Sequence, residues 1–261
     1  MIWKIACIQL DIVFGSPVQN YQNAEEKIKQ AAAEKPDVIV LPELWTTGYD
    51  LSRLDEIADS HAEVTLELLK KWAKQYNVSF VGGSVANKTD DGVLNTLLVV
   101  NSAGEVVKQY SKLHLFKLMD EHKFLLPGSS DGNFTLENIP CAGFICYDIR
   151  FPEWIRTHTA KGAEVLFISA EWPLARLAHW RALLITRAIE NQCFVVACNR
   201  SGSDPNNEFA GHSMIIDPWG EIVAEAGTGE EILTASVDFS QSVDIRKQIP
   251  IFQDRRPEFY K

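Results

Sequence analysis

Short apolar runs alternate with stretches of helical periodicity at both ends of this chain, which restricts it to a layered α/β architecture with mixed sheets. Ile2 to Leu10 reads as a buried strand. Pro17 opens a helical pattern to about Glu34, with Ala24, Ile28 and Ala31 or Ala32 on one face. Val38 to Leu41 is a short strand, and residues 61 to 76 return to helical spacing with Val64, Leu68, Leu69 and Trp72 as the inner stripe. Val78 to Ala86 is a strand interrupted by Gly82-Gly83. Two hairpin signals follow, at Ser102-Ala103-Gly104 and Asp217-Pro218-Trp219-Gly220. Between them, helices over Pro152 to Lys161 and Leu177 to Asn191 alternate with strands over Val165 to Ser169 and Phe194 to Asn199. Leu126 to Asn133 reads as an active-site loop, because the apolar pattern resumes at once. No repeat or linker interrupts the pattern, so residues 1–261 are expected to form a single domain.

Three of these runs end on a residue with chemistry to offer. Val38 to Leu41 ends in Pro42-Glu43, Val106 to Tyr110 leads into Ser111-Lys112, and Phe144-Ile145 precede Cys146. A thiol, a carboxylate and an ammonium at strand ends point to covalent hydrolysis by a Cys-Glu-Lys group. Cys146 stands before Pro152, a good first helical residue, so a sharp turn presents the thiol beside a helix start, where thiolate is favoured. A cysteine in a strand pattern is ordinarily a buried, inert thiol; the other two groups set Cys146 apart. Glu43 follows four apolar residues, a costly place for a carboxylate unless it is paired or functional. Its role is general base toward the thiol and then acid toward the leaving amine. Lys112 stabilises the oxyanion and holds the thiol deprotonated, and the main-chain N–H of Tyr147 is the second oxyanion donor. Glu121, a surface charge on the plainest reading, is placed to orient Lys112 or to take a proton from substrate.

Composition removes other classes. The net charge of −10 and the lack of a long basic run disfavour nucleic acid. No apolar stretch reaches the roughly 18 residues a membrane span needs. Five cysteines, an odd number, and a start at Met1-Ile2-Trp3-Lys4 that reads as strand rather than signal point to a reducing, cytoplasmic setting. Cys141/Cys146 and Cys193/Cys198 are each five apart, which on a strand sends the side chains to opposite faces and argues against a metal site. Any of the six histidines remains open as a partner for a catalytic thiol.

Taken together, Leu41-Pro42-Glu43, Tyr110 to Phe116, Glu121 through Pro127-Gly128, and Ile145 to Glu153 resemble the nitrilase superfamily of carbon–nitrogen hydrolases. So do Trp180 through Gln192 and Gly211-His212-Ser213 with Asp217 to Gly220, and the tail from Ile245 to Arg256 resembles the omega-amidase branch. The resemblance implies a four-layer αββα sandwich, two mixed sheets face to face, and a homodimer. It implies the triad Glu43, Lys112 and Cys146 with Glu121 as second glutamate, no cofactor and no metal. Its substrates are omega-amides of small dicarboxylic acids, 2-oxoglutaramate and 2-oxosuccinamate. Arg150 is then a candidate for the remote carboxylate, against a structural pairing with Asp148 or Glu153. Ala170, Glu171 and Trp172 are expected along the pocket rim, with Phe116 and Tyr49 as further wall residues. Other readings are an aliphatic amidase, carbamoyl hydrolase or nitrilase on the same triad, and a non-catalytic scaffold.

Overall fold

The side-chain alternation of the first strand organises the molecule. In the computed structural model, which describes residues 1–260, the strand Ile2–Gln9 turns Ile5 and Cys7 to one apolar cluster and Ala6 and Ile8 to another. That period of two lets one sheet bury both faces. Strands Glu231–Asp238, Ile2–Gln9, Val38–Val40, Ser79–Thr89, Gly92–Val100 and Val106–Ser111 pair in that order, and Asp59–Ser60 pairs with Ser79–Thr89 off the path. The second sheet runs Ile222–Glu225, Met214–Ile216, Phe194–Asn199, Val165–Ala170, Ile139–Ile145, Asn133–Leu136. Both sheets mix parallel and antiparallel pairs.

Helices Pro17–Ala33 and Glu63–Tyr76 cover the outer face of the first sheet through Ala24, Ile28, Leu69 and Trp72. Helices Pro152–Thr159 and Leu177–Asn191 cover the second through Ile155, Trp180 and Leu184. Between the sheets lie Val40, Leu97 and Val99 from one side and Phe167 and Val196 from the other. The expected αββα layering is present.

Local differences have local causes. The stripe of helix Glu63–Tyr76 is rotated from the expected one: Thr65, Leu66, Leu69 and Trp72 are buried, while Val64 is exposed. Asp59 sets this rotation by accepting the N–H groups of Val64 (3.1 Å) and Thr65 (2.8 Å) and the Thr65 hydroxyl (2.7 Å), which satisfies donors at the helix start. The Gly82-Gly83 interruption is a register shift between Val81 and Ser84 within a continuous strand. The short helices Leu54–Ile57, Glu121–Phe124 and Ile251–Asp254 were not legible in the pattern.

Candidate active site

The parallel strands of each sheet end on the same side, and their carboxyl ends bring the chemistry together. Val38–Val40 delivers Glu43 and Val106–Ser111 delivers Lys112 from the first sheet; Ile139–Ile145 delivers Cys146 from the second.

The turn after Glu43 is tight, with Leu44 in the left-handed region at φ 40°. It is accepted by the bulge in Ser79–Thr89. Ser84 N–H donates to Pro42 O (3.1 Å), Leu44 N–H donates to Ser84 Oγ (3.0 Å), and Trp45 N–H donates to Ser84 O (3.2 Å). Gly83, at φ 66°, leaves room for this turn: a Cβ there would lie 2.2 Å from Pro42 O.

Glu43 is completely buried and fully occupied. Its Oε1 accepts Lys112 Nζ (2.8 Å) and Asn95 Nδ2 (2.8 Å), and its Oε2 accepts the main-chain N–H of Glu171 (2.9 Å). Lys112 Nζ also donates to Glu121 Oε1 at 2.6 Å, and Glu121 Oε2 accepts Phe116 N–H at 2.7 Å. The Tyr49 hydroxyl donates to Glu121 Oε1 at 2.5 Å and stands 3.2 Å from Glu43 Oε1. Gly128 of the predicted loop donates its N–H to Lys112 O (2.8 Å), and a Cβ on it would meet Ser111 O at 2.1 Å, so this loop backs the lysine.

Cys146 opens a 3-10 helix, Cys146–Arg150, in the left-handed region at φ 44°. Non-glycine residues held there store strain, and such positions cluster at functional sites. Asp148 holds the turn. It accepts Ile145 N–H (3.1 Å), the Tyr110 hydroxyl (2.7 Å), and both N–H (3.1 Å) and Nδ1 (2.8 Å) of His114. Arg187 adds a bond from Nε to Ile149 O (2.9 Å). The Cys146 thiol is only 5% exposed and lies within the electrostatic reach of Glu43, Lys112 and Glu121.

The electrostatics correct one expectation. Burial pushes the Cys146 thiol well up, Glu43 pushes it further, and the opposing pull of Lys112 does not compensate. At rest the thiol keeps its proton, so it needs a base at the moment of attack rather than standing as a thiolate. Burial works against the charge on Lys112, yet Glu121 and Glu43 outweigh it and hold the ammonium charged. Burial and the neighbouring Glu43 raise Glu121 against the pull of Lys112.

These groups can act on a carbonyl carbon with a nucleophile, a hydrogen-bonded base and a fixed cation. The carbon-nitrogen hydrolase family profile matches residues 4–247. The chain belongs to the carbon-nitrogen hydrolase family. It is 55% identical to the 2-oxoglutaramate amidase of Bacillus subtilis (strain 168), over 100% of both chains. It is 34% identical to an omega-amidase of Yersinia enterocolitica, over 96% of each. Its fold superposes with a TM-score of 0.92 on XC1258 from Xanthomonas campestris, a superfamily protein with an arsenic adduct in its active site, at 28% identity over 98% of both chains.

In this carbon-nitrogen hydrolase, Glu43, Lys112, Glu121 and Cys146 converge as the sequence led us to expect, with Tyr147 next to the thiol. The expected rim residues divide. Phe116 packs on Tyr147 with ring centroids 4.6 Å apart, and Arg150 lies over the Trp172 ring at 4.7 Å. Arg150 pairs with neither Asp148 nor Glu153; it donates to His179 Nδ1 at 3.3 Å. Tyr49 is buried, and its hydroxyl bridges the two glutamates. Ala170 is fully buried and acts through its carbonyl, which accepts Glu43 N–H at 3.5 Å. Glu171 turns its side chain to Arg200 (2.8 Å), away from the rim, and burial pushes its carboxyl up to about 8 against the pull of that guanidinium. Asn95, Asp148 and Arg187 were missed; an amide inside the largely apolar run Gly92–Val100 was the available sign for Asn95. His114, His158 and His212 make their bonds to Asp148, Trp154 and Glu225, and none of these bonds goes to Cys146.

Proposed function

We propose that this hydrolase is an omega-amidase, releasing ammonia from the terminal amide of small 2-oxo dicarboxylic acids, 2-oxoglutaramate foremost and 2-oxosuccinamate beside it. The observation that carries the reading is the convergence of the buried Cys146 thiol with the paired Glu43 carboxylate and Lys112 ammonium. Full-length identity to a 2-oxoglutaramate amidase supports the substrate class.

In the first step Glu43 takes the Cys146 proton as sulfur attacks the amide carbon. Lys112 and the Tyr147 N–H stabilise the oxyanion; the leading N–H groups of a helical turn have no intrahelical acceptor. Loss of one such donor costs about 3 kcal/mol of barrier. Glu43 then protonates the departing nitrogen, ammonia leaves, and a thioester remains. Water, deprotonated by Glu43, attacks the thioester; the acid is released and the proton returns to sulfur. Glu121 keeps Lys112 in place throughout. Arg150, stacked on Trp172, binds the remote carboxylate. The five free cysteines suit a reducing compartment, no helix among the described residues is long and apolar enough to cross a membrane, and the working unit is a homodimer.

The test is ammonia release from 2-oxoglutaramate set against simple aliphatic amides, nitriles and carbamoyl amines. Preference for the 2-oxo acid amide is expected. Turnover of a nitrile or carbamoyl amine with none of any omega-amide would overturn the assignment. Sedimentation at the single-chain mass of 29.3 kDa would remove the dimer.

A further inference from the structure

Two cations lie on aromatic rings whose neighbours adjoin Cys146 and Glu43. On one side, Tyr147 packs against Phe116, and the Arg176 guanidinium lies over Phe116 at 5.4 Å. On the other, Trp172 follows Glu171, whose N–H holds Glu43, and Arg150 lies over Trp172. The sides are tied together: Trp172 Nε1–H donates to Arg176 O at 2.8 Å. Asn199 fixes Trp172 in turn, accepting its N–H at 2.6 Å and donating to its carbonyl at 3.3 Å. Among the described residues, arginine ion pairs fall on Arg53, Arg181, Arg187, Arg200 and Arg256. Arg150 and Arg176 make none; apart from the Arg150 bond to His179, their planar donors are open to a ligand.

The charge balance below them calls for such a pair. Glu43 and Glu121 share one ammonium, so an anionic substrate approaches more carboxylate than cation. A 2-oxo acid presents two adjacent acceptor groups, a carboxylate and a ketone oxygen, which a single guanidinium already occupied by His179 covers poorly.

Resting on the omega-amidase reading, we propose that Arg176 is a specificity-determining residue, the second cation of a two-guanidinium clamp that with Arg150 grips the carboxylate and 2-oxo oxygen of the substrate. Arg150 meets the substrate from the Trp172 side and Arg176 from the Phe116 side. The clamp holds ground state and transition state alike, so its loss raises KM more than it lowers kcat.

The experiment compares kcat/KM for 2-oxoglutaramate with that for pentanamide, a neutral amide of the same chain length, in the full-length enzyme and in its Arg176→Gln and Arg176→Lys variants. Arg176→Gln is expected to lower the ratio of the two values about tenfold or more, as for loss of a charge-assisted hydrogen bond. The fall should lie mainly in KM, with part of the ratio restored by Arg176→Lys. An unchanged ratio, or equal losses on both substrates, overturns the clamp and leaves Arg176 as packing for Phe116. A native enzyme with no preference for the carboxylate-bearing amide overturns the omega-amidase reading and the clamp together, so the two failures are told apart by the native enzyme alone.

Discussion

Lys112 Nζ stands 2.8 Å from Glu43 Oε1, and both side chains are fully removed from solvent. A buried pair of this kind contributes little to stability unless further bonds satisfy it. Here Glu121, Asn95, Tyr49 and the Glu171 N–H supply those bonds. The network fixes the Glu43 carboxylate, and burial together with that charge keeps the thiol protonated against the pull of Lys112.

Replacing Glu43 by Gln should therefore separate acidity from catalysis. Removing the carboxylate charge leaves Lys112 acting on the thiol with less opposition, so the Cys146 pKa falls. Amide turnover falls about a hundredfold or more, because the proton acceptor is gone. Ultraviolet titration of thiolate absorbance, together with ammonia release, measures both. A thiol pKa that rises in this variant would contradict the electrostatic account.

Lys112→Met should cost stability as well as activity. It leaves two buried carboxylates without their cation, a change worth roughly 3–5 kcal/mol. Adding Glu121→Gln to the same chain should recover part of that loss with no return of turnover. Urea unfolding of the single and double variants checks this, and equal stability of the two would refute it.

Gly83→Ala tests the seat of the Glu43 turn. The new methyl would meet Pro42 O at 2.2 Å on a residue at φ 66°. Left-handed strain of this sort costs about 1–3 kcal/mol before the clash is counted. We expect a folded but less stable protein, with turnover lost further than stability alone explains because Glu43 is displaced.

Acid should weaken the fold through His158. Gly132 N–H donates to its Nε2 at 2.9 Å, and its Nδ1 bonds Trp154 O at 2.7 Å, so the ring sits neutral. Burial holds its pKa below the ordinary 6.5. The native state then binds this proton less tightly than the unfolded chain does. Its contribution is complete above about 6.5 and is lost as pH falls through the lower native value. Denaturant unfolding on either side of 6.5 should show this slope in the native protein and a shallower one in His158→Gln.

The grouping of Glu43, Lys112 and Cys146 was legible because each follows a short apolar run, where a charged or nucleophilic residue is conspicuous. Helix Leu177–Asn191 and strand Phe194–Asn199 were read with the bounds they have. Harder to see were groups whose meaning lies in a distant partner. Tyr49 meets Glu121 across 72 positions, Asn95 meets Glu43 across 52, and Glu171 meets Glu43 across 128. Adjacency in sequence placed Glu171 on the rim, yet neighbours beyond a strand end point in different directions, and Arg200 captured its side chain. The thiol's proton was misjudged for a related reason: sequence shows the nearby cation but not the depth of burial.

The bond from Glu171 N–H to Glu43 crosses from one sheet to the other, as does the bond from Ser169 Oγ to Leu41 O at 2.8 Å. The reactive centre is thus a seam, and its geometry is only as good as the alignment of the two halves it joins. A slippage too small to melt a single strand would already part base from nucleophile. On warming, the enzyme should fall silent while its circular dichroism is still that of the intact sandwich, so that turnover serves as a gauge of how firmly the halves are locked.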